Sequence, residues 1–115
     1  MRQLRTCGKA QPPPAHALFE ALSNPKADQR RRPWLHLRDD ERDPRVLQAE
    51  LPATVVWSSL WNDRPNDVLR FDIRDQYVTW TLLGEASEED EPRLTQLGHR
   101  INEIVNADLR YSFGQ

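Results

Sequence analysis

The sequence predicts an α+β fold built on one antiparallel sheet, and three features lead to that class. Two apolar stripes recur at helical spacing, a short one near residue 18 and a longer one from residue 94. Between them lie runs in which apolar and polar residues alternate. The breaks between those runs are too short for crossover connections, so the strands form an antiparallel meander. With 115 residues the chain is expected to be one domain over 1–115.

Taken in order, residues 1–11 alternate weakly, with Leu4, Thr6 and Gly8 set against Arg5 and Cys7, which suits an edge strand or a disordered end. The prolines 12–14 stop it and suit the first turn of a helix. Ala15, Leu18, Phe19 and Leu22 then form one helical face, ended by SNP at 23–25. KADQRRR at 26–32 has no apolar face and reads as a solvated turn or loop. Trp34, Leu35 and Leu37 return to the core, and RDDERDP is a charged turn.

RVLQAELP at 45–52 places Leu47, Ala49 and Leu51 on one face of a strand that Pro52 closes. ATVVWSSLW is the next strand. DVLRFDIR has the cleanest alternation, with Leu69, Phe71 and Ile73 opposite Arg70, Asp72 and Arg74. A tight turn at Asp75 and Gln76 leads to YVTWTLL, where Val78, Trp80 and Leu82 face inward. EASEEDEP is an acidic connection that favours the N-terminus of a following helix. That helix runs from about Pro92 to Leu109 on a stripe of Leu94, Leu97, Ile101, Ile104 and Val105.

Composition narrows function. Sixteen basic against 18 acidic residues give a net charge of −2, unlike a dedicated nucleic-acid binder. No apolar run approaches the roughly 18 residues of a membrane span, and the first residues lack the apolar core of a secretory signal. Cys7 is the one cysteine, so a cytoplasmic, reducing setting is expected and no internal disulfide or cysteine metal cluster. Cys7 itself reads as a small strand or loop residue. His16, His36 and His99 lack metal-ligand spacing. The four glycines form no phosphate- or dinucleotide-binding cluster, and there is no nucleophile elbow. No metal and no cofactor are expected. QRRR at 29–32 suits a phosphate less well than the acidic run at 39–43.

Several stretches together carry a resemblance: ALFEALSNP, ATVVWSSLW followed by DRPNDVLRFDI, TWTLLG, and RINEIVNADLRYSFGQ. Over about residues 14–115 the chain resembles small bacterial members of the SRPBCC superfamily, the START-like or polyketide-cyclase-like proteins. The resemblance implies a helix-grip fold: a curved antiparallel sheet wrapped around a long C-terminal helix, with short helices near the N-terminus. Members hold lipids, sterols or polyketides between sheet and helix. A few are cyclases or dehydratases, and one branch activates a heat-shock ATPase. This chain departs from the pattern in its polar first strand and its short 34–52 region, which implies a smaller grip.

The leading expectation is therefore non-enzymatic binding of a small hydrophobic molecule. Its walls would be Trp57, Leu69, Phe71, Ile73, Val78, Trp80, Ile101, Ile104 and Val105, with few polar contacts, Ser59 among them. Core packing is the competing reading of the same aromatic residues. Trp61 is placed at a partly exposed rim.

Asp108 is the one catalytic candidate. Steps of about 100° put it near the middle of the apolar stripe, where a lone carboxylate is costly. It would serve a cyclase- or dehydratase-like enzyme as acid or base, or be neutralised by Arg100 or Arg110, or lie where the helix frays near Asn106. A third reading is a protein-interaction module of the ATPase-activator type, using Trp61 and the rim near Trp34, as monomer or homodimer.

Overall fold

Apolar residues at every second position need a cover on one side of the sheet, and the two helices supply it. A computed structural model describes residues 1–25, 34–51 and 53–110. Strand β1 is Arg2–Ala10, helix α1 Ala15–Ser23, β2 Val46–Glu50, β3 Thr54–Ser58, β4 Val68–Arg74 and β5 Tyr77–Gly84. A 3₁₀ turn at Glu88–Asp90 leads into α2, Glu91–Glu103, which continues as a π-helical segment over Ile104–Leu109. The helical stretch at this end is about 22 residues long. The expectations on residues 26–33, Pro52 and 111–115 lie outside the described residues.

The five strands form one open antiparallel sheet in the order β1-β5-β4-β3-β2. The meander β2 to β5 is as expected. Strand β1 closes on β5, the last strand, so the weak N-terminal alternation does make an edge strand. It carries a bulge between Gln3 and Arg5, which turns Leu4 into the core while Thr6 and Gly8 face outward. The Tyr77 ring lies across Gly8: a Cβ there would come within 2.2 Å of the tyrosine oxygen, so the exposed ring would have to swing aside.

Opposed residues share a face in an antiparallel pair, so the register assigns the rungs of the core. Trp57, Leu69 and Leu82 form one, Val55, Phe71 and Trp80 the next, and Ile73 with Val78 the third. Leu18 and Leu22 of α1 and the whole stripe Leu94, Leu97, Ile101, Ile104 and Val105 are buried against them.

Strand β2 differs from expectation. Its five residues are all exposed, and Leu47 and Leu51 stand 51% and 79% open. Alternation makes burial possible, but burial also needs a covering element. Among the described residues, β2 packs chiefly on β3, and neither helix makes more than marginal contact with it.

Candidate functional site

The residues expected to line a ligand site do come together, as the packed interior between sheet and α2. Trp57, Phe71, Val78, Ile101, Ile104 and Val105 have no exposed surface. Leu69, Ile73 and Trp80 are buried as well. Phe71 meets Trp57 edge-on at a centroid distance of 4.7 Å, and Trp57 meets Trp34 at 5.9 Å. Such offset arrangements suit the quadrupoles of the rings.

The polar handles of the tryptophans show what the rings fasten. A helix end leaves its last carbonyls without intrahelical partners. At the end of α1, Trp57 Nε1–H donates to the Leu22 carbonyl at 2.8 Å and Trp34 Nε1–H to that of Ala21 at 2.9 Å. Asn24 covers the Glu20 carbonyl through its side chain at 3.0 Å. Trp80 Nε1–H donates to Asn102 Oδ1 on α2 at 2.8 Å, joining sheet to helix. Each of these indoles is tied to protein.

Trp61 corrects the expectation of a partly exposed rim. The strand ends at Ser58, and Ser59 turns the chain inward by accepting the Trp61 N–H at 3.1 Å. Trp61 is only 1% exposed, and its indole donates to Glu41 Oε2 at 2.9 Å. Trp34 is buried too, so neither tryptophan offers a rim to a partner. Ser59, expected to turn a hydroxyl towards a ligand, uses it within this turn.

Glu41 belongs to a buried ion pair that sequence reasoning missed. Arg100 Nε donates to both Glu41 oxygens, at 3.1 and 2.9 Å, and Arg100 Nη2 adds a contact at 2.8 Å. The side chains are 6% and 1% exposed. Burial pushes the Glu41 carboxyl up, but hydrogen bonds from Arg100, the Arg38 N–H and Trp61 together outweigh it and hold the group below its ordinary value. Arg100 also donates to the His36 carbonyl at 2.7 Å, so it anchors the 34–41 segment to α2. The two residues stand 59 apart in the chain, and no local pattern marks the pair.

Asp108 is placed by the π segment. An α-helix steps by about 100° and brings residue 108 back over Ile101. A π-helix, with its i→i+5 bonds, steps by roughly 80°. From Ile104 on, that difference swings Asp108 to the flank and brings Leu109 into the stripe, where it is fully buried. The helix therefore does not fray at Asn106. Asp108 is half-buried and accepts the His36 N–H at 3.0 Å. Burial pushes its carboxyl up, against the pull of that N–H and of Arg100.

The far end of the sheet is locked by a second ion pair. Arg64 binds Asp67 and also donates to the Glu85 carbonyl at 2.6 Å. Gly84 makes room for this: a Cβ would stand 2.2 Å from Asp67 Oδ1. Burial raises the Asp67 carboxyl despite Arg64.

Open recesses among the described residues lie elsewhere. One of about 370 Å³ sits beside Arg38, Trp61, Arg93, His99 and Arg100. Another, about 490 Å³, lies near Asp72, Arg74, Tyr77 and Thr79 and touches only Ile73 of the expected wall. His16, His36 and His99 are all exposed. No helix among the described residues is long and apolar enough to cross a membrane.

On the helix-bearing face, the rungs end at β1 in two charged residues, Arg5 and Lys9, on either side of Cys7, which packs against the core. Arg5 pairs with Leu82, Cys7 with Trp80 and Lys9 with Val78. Arg5 forms an ion pair with Glu91 of α2. The packed interior between sheet and helix is thus apolar over β3, β4 and β5 and bordered by charged side chains along β1. Compared with known proteins, the chain matches no family model, no curated protein and no solved structure.

Proposed function

We propose that the chain is a small helix-grip domain that binds a mainly apolar molecule between its sheet and C-terminal helix, without catalysing a reaction. The strand order supports the fold: the first strand lies beside the last, and the long helix follows directly. The observation that carries the binding reading is the change of character along one face. Three apolar rungs run out into Arg5, Cys7 and Lys9 of β1 beside α2, a frame suited to an apolar body with one polar end.

The cyclase-like alternative rests on Asp108, and its carboxylate is engaged as the acceptor that joins the π-helical segment to residue 36. Native mass spectrometry of the purified chain tests the proposal, followed by calorimetric titration with fatty acids, sterols and aromatic polyketides. A co-purifying small molecule or saturable binding is expected. A ligand-free spectrum with no heat across the set overturns it.

A second reading has its own observation. Val46 and Leu47 of β2, with Leu51 just beyond its end, give this edge of the sheet exposed apolar residues, and edge strands are natural docking strips. In that case the chain acts through a partner protein, and charged substitutions at Leu47 and Leu51 would abolish the association without changing the fold.

A further inference from the structure

Among the described residues, five polar or charged ones are buried as whole residues: Gln11, Ser59, Asp67, Thr81 and Arg100. Four have evident partners. Ser59 bonds Trp61, Asp67 binds Arg64, Thr81 meets Thr6 and Arg100 holds Glu41. Gln11 is the exception. It is 1% exposed, and neither its Nε2 nor its Oε1 has a hydrogen-bond partner among the described residues. Folding rarely tolerates such a group, since buried amides are almost always satisfied.

The backbone fixes the side to which this amide belongs. Arg5, Cys7 and Lys9 share the face of Leu82, Trp80 and Val78, and Gln11 is the next residue in that alternation. Its N–H continues the ladder by donating to the Gln76 carbonyl at 2.9 Å. Gln11 therefore stands on the helix-bearing side, at the end of the polar margin of β1.

We propose that Gln11 reads the polar end of the bound molecule. Its carboxamide offers one donor and one acceptor side by side. The complement is a planar group with the reverse pair: a primary carboxamide, a lactam or a neutral carboxylic acid. Two parallel hydrogen bonds would then satisfy both atoms at once. This inference rests on the ligand-binding reading above and adds the chemistry of the head group to it.

The test uses three probes with one chain length, octanamide, methyl octanoate and 1-octanol, titrated calorimetrically into the native chain and into Gln11→Met. The variant keeps the side-chain volume and removes both polar atoms. The expected result is that the ratio of ester to amide dissociation constants falls about tenfold in the variant, the equivalent of one to two net hydrogen bonds. Its melting temperature should equal or exceed the native one. An unchanged ratio overturns the role of Gln11 while leaving ligand binding intact, and so would a retained water that meets the amide. A clear fall in melting temperature shows that the amide is satisfied within the fold, and also overturns it. If none of the three binds the native chain, the role of Gln11 is overturned, and the ligand-binding reading falls with it when the fatty acids, sterols and polyketides above give no heat either.

Discussion

Replacing Arg100 with leucine should be among the most damaging single changes to this fold. The substitution removes all three contacts that Arg100 makes to Glu41, and its bond to the His36 carbonyl. Glu41, with a side chain 1% exposed, keeps the Trp61 indole and the Arg38 N–H as donors but loses its countercharge. Breaking a buried pair in this way costs about 3–5 kcal/mol, a large part of a total stability of roughly 5–15 kcal/mol. For a chain of this size the melting temperature should drop on the order of 10–20 °C.

The pH dependence separates lost charge pairing from lost packing. In the native chain the Glu41 carboxyl is held below its ordinary value. Its contribution is therefore present above the unfolded value and lost as pH falls through the folded one. Without Arg100, burial prevails and the carboxyl is pushed up, so its cost appears as pH rises from about 4 towards neutrality. Urea melts of both chains at pH 4 and pH 7.5 check this. Glu41→Gln in the Arg100→Leu background keeps the acceptor and removes the charge, and should recover at least half of the loss at pH 7.5. A penalty below about 1 kcal/mol at pH 7.5, or an equal penalty at the two pH values, would refute the argument.

Other outcomes follow from the same geometry. Gly84→Ala should cost about 2–4 kcal/mol by forcing Asp67 off Arg64, read as a lower urea midpoint with unchanged slope. Trp34→Phe removes the indole donor from the end of α1 and should cost about 1–2 kcal/mol, measurable by thermal melts and by faster amide exchange in residues 18–24. Asp108→Asn keeps an acceptor for the His36 N–H and removes a carboxyl that burial pushes up. A raised carboxyl withdraws stability as pH rises above its unfolded value, so the variant should melt higher than native at pH 7.5 and alike at pH 3. A variant no more stable at pH 7.5 would contradict the assignment.

Periodicity made the central strands and the final helix legible. Leu69, Phe71 and Ile73 alternate because one side of β4 is packed, and Leu94, Leu97 and Ile101 recur because one side of α2 is packed. Leu47 and Leu51 alternate as well, yet the pattern cannot say whether a cover arrives. Trp61 escapes the alternation because a turn, not a strand, carries it inward, and turns have no period. A uniform helical step misplaces Asp108, because the segment that carries it winds more slowly. The Arg100 and Glu41 pair, and the side-chain amide of Gln11 left without a partner among the described residues, arise between distant parts of the chain. Neither leaves a trace in local spacing.

The fastening of each indole within the fold has a practical corollary. Rings this well shielded from water should emit at short wavelength and resist quenching by dissolved iodide, all four alike. A red shift on adding any compound would then report that the interior itself had opened, and a population of quenchable emitters at rest would show that one of these joints is undone part of the time.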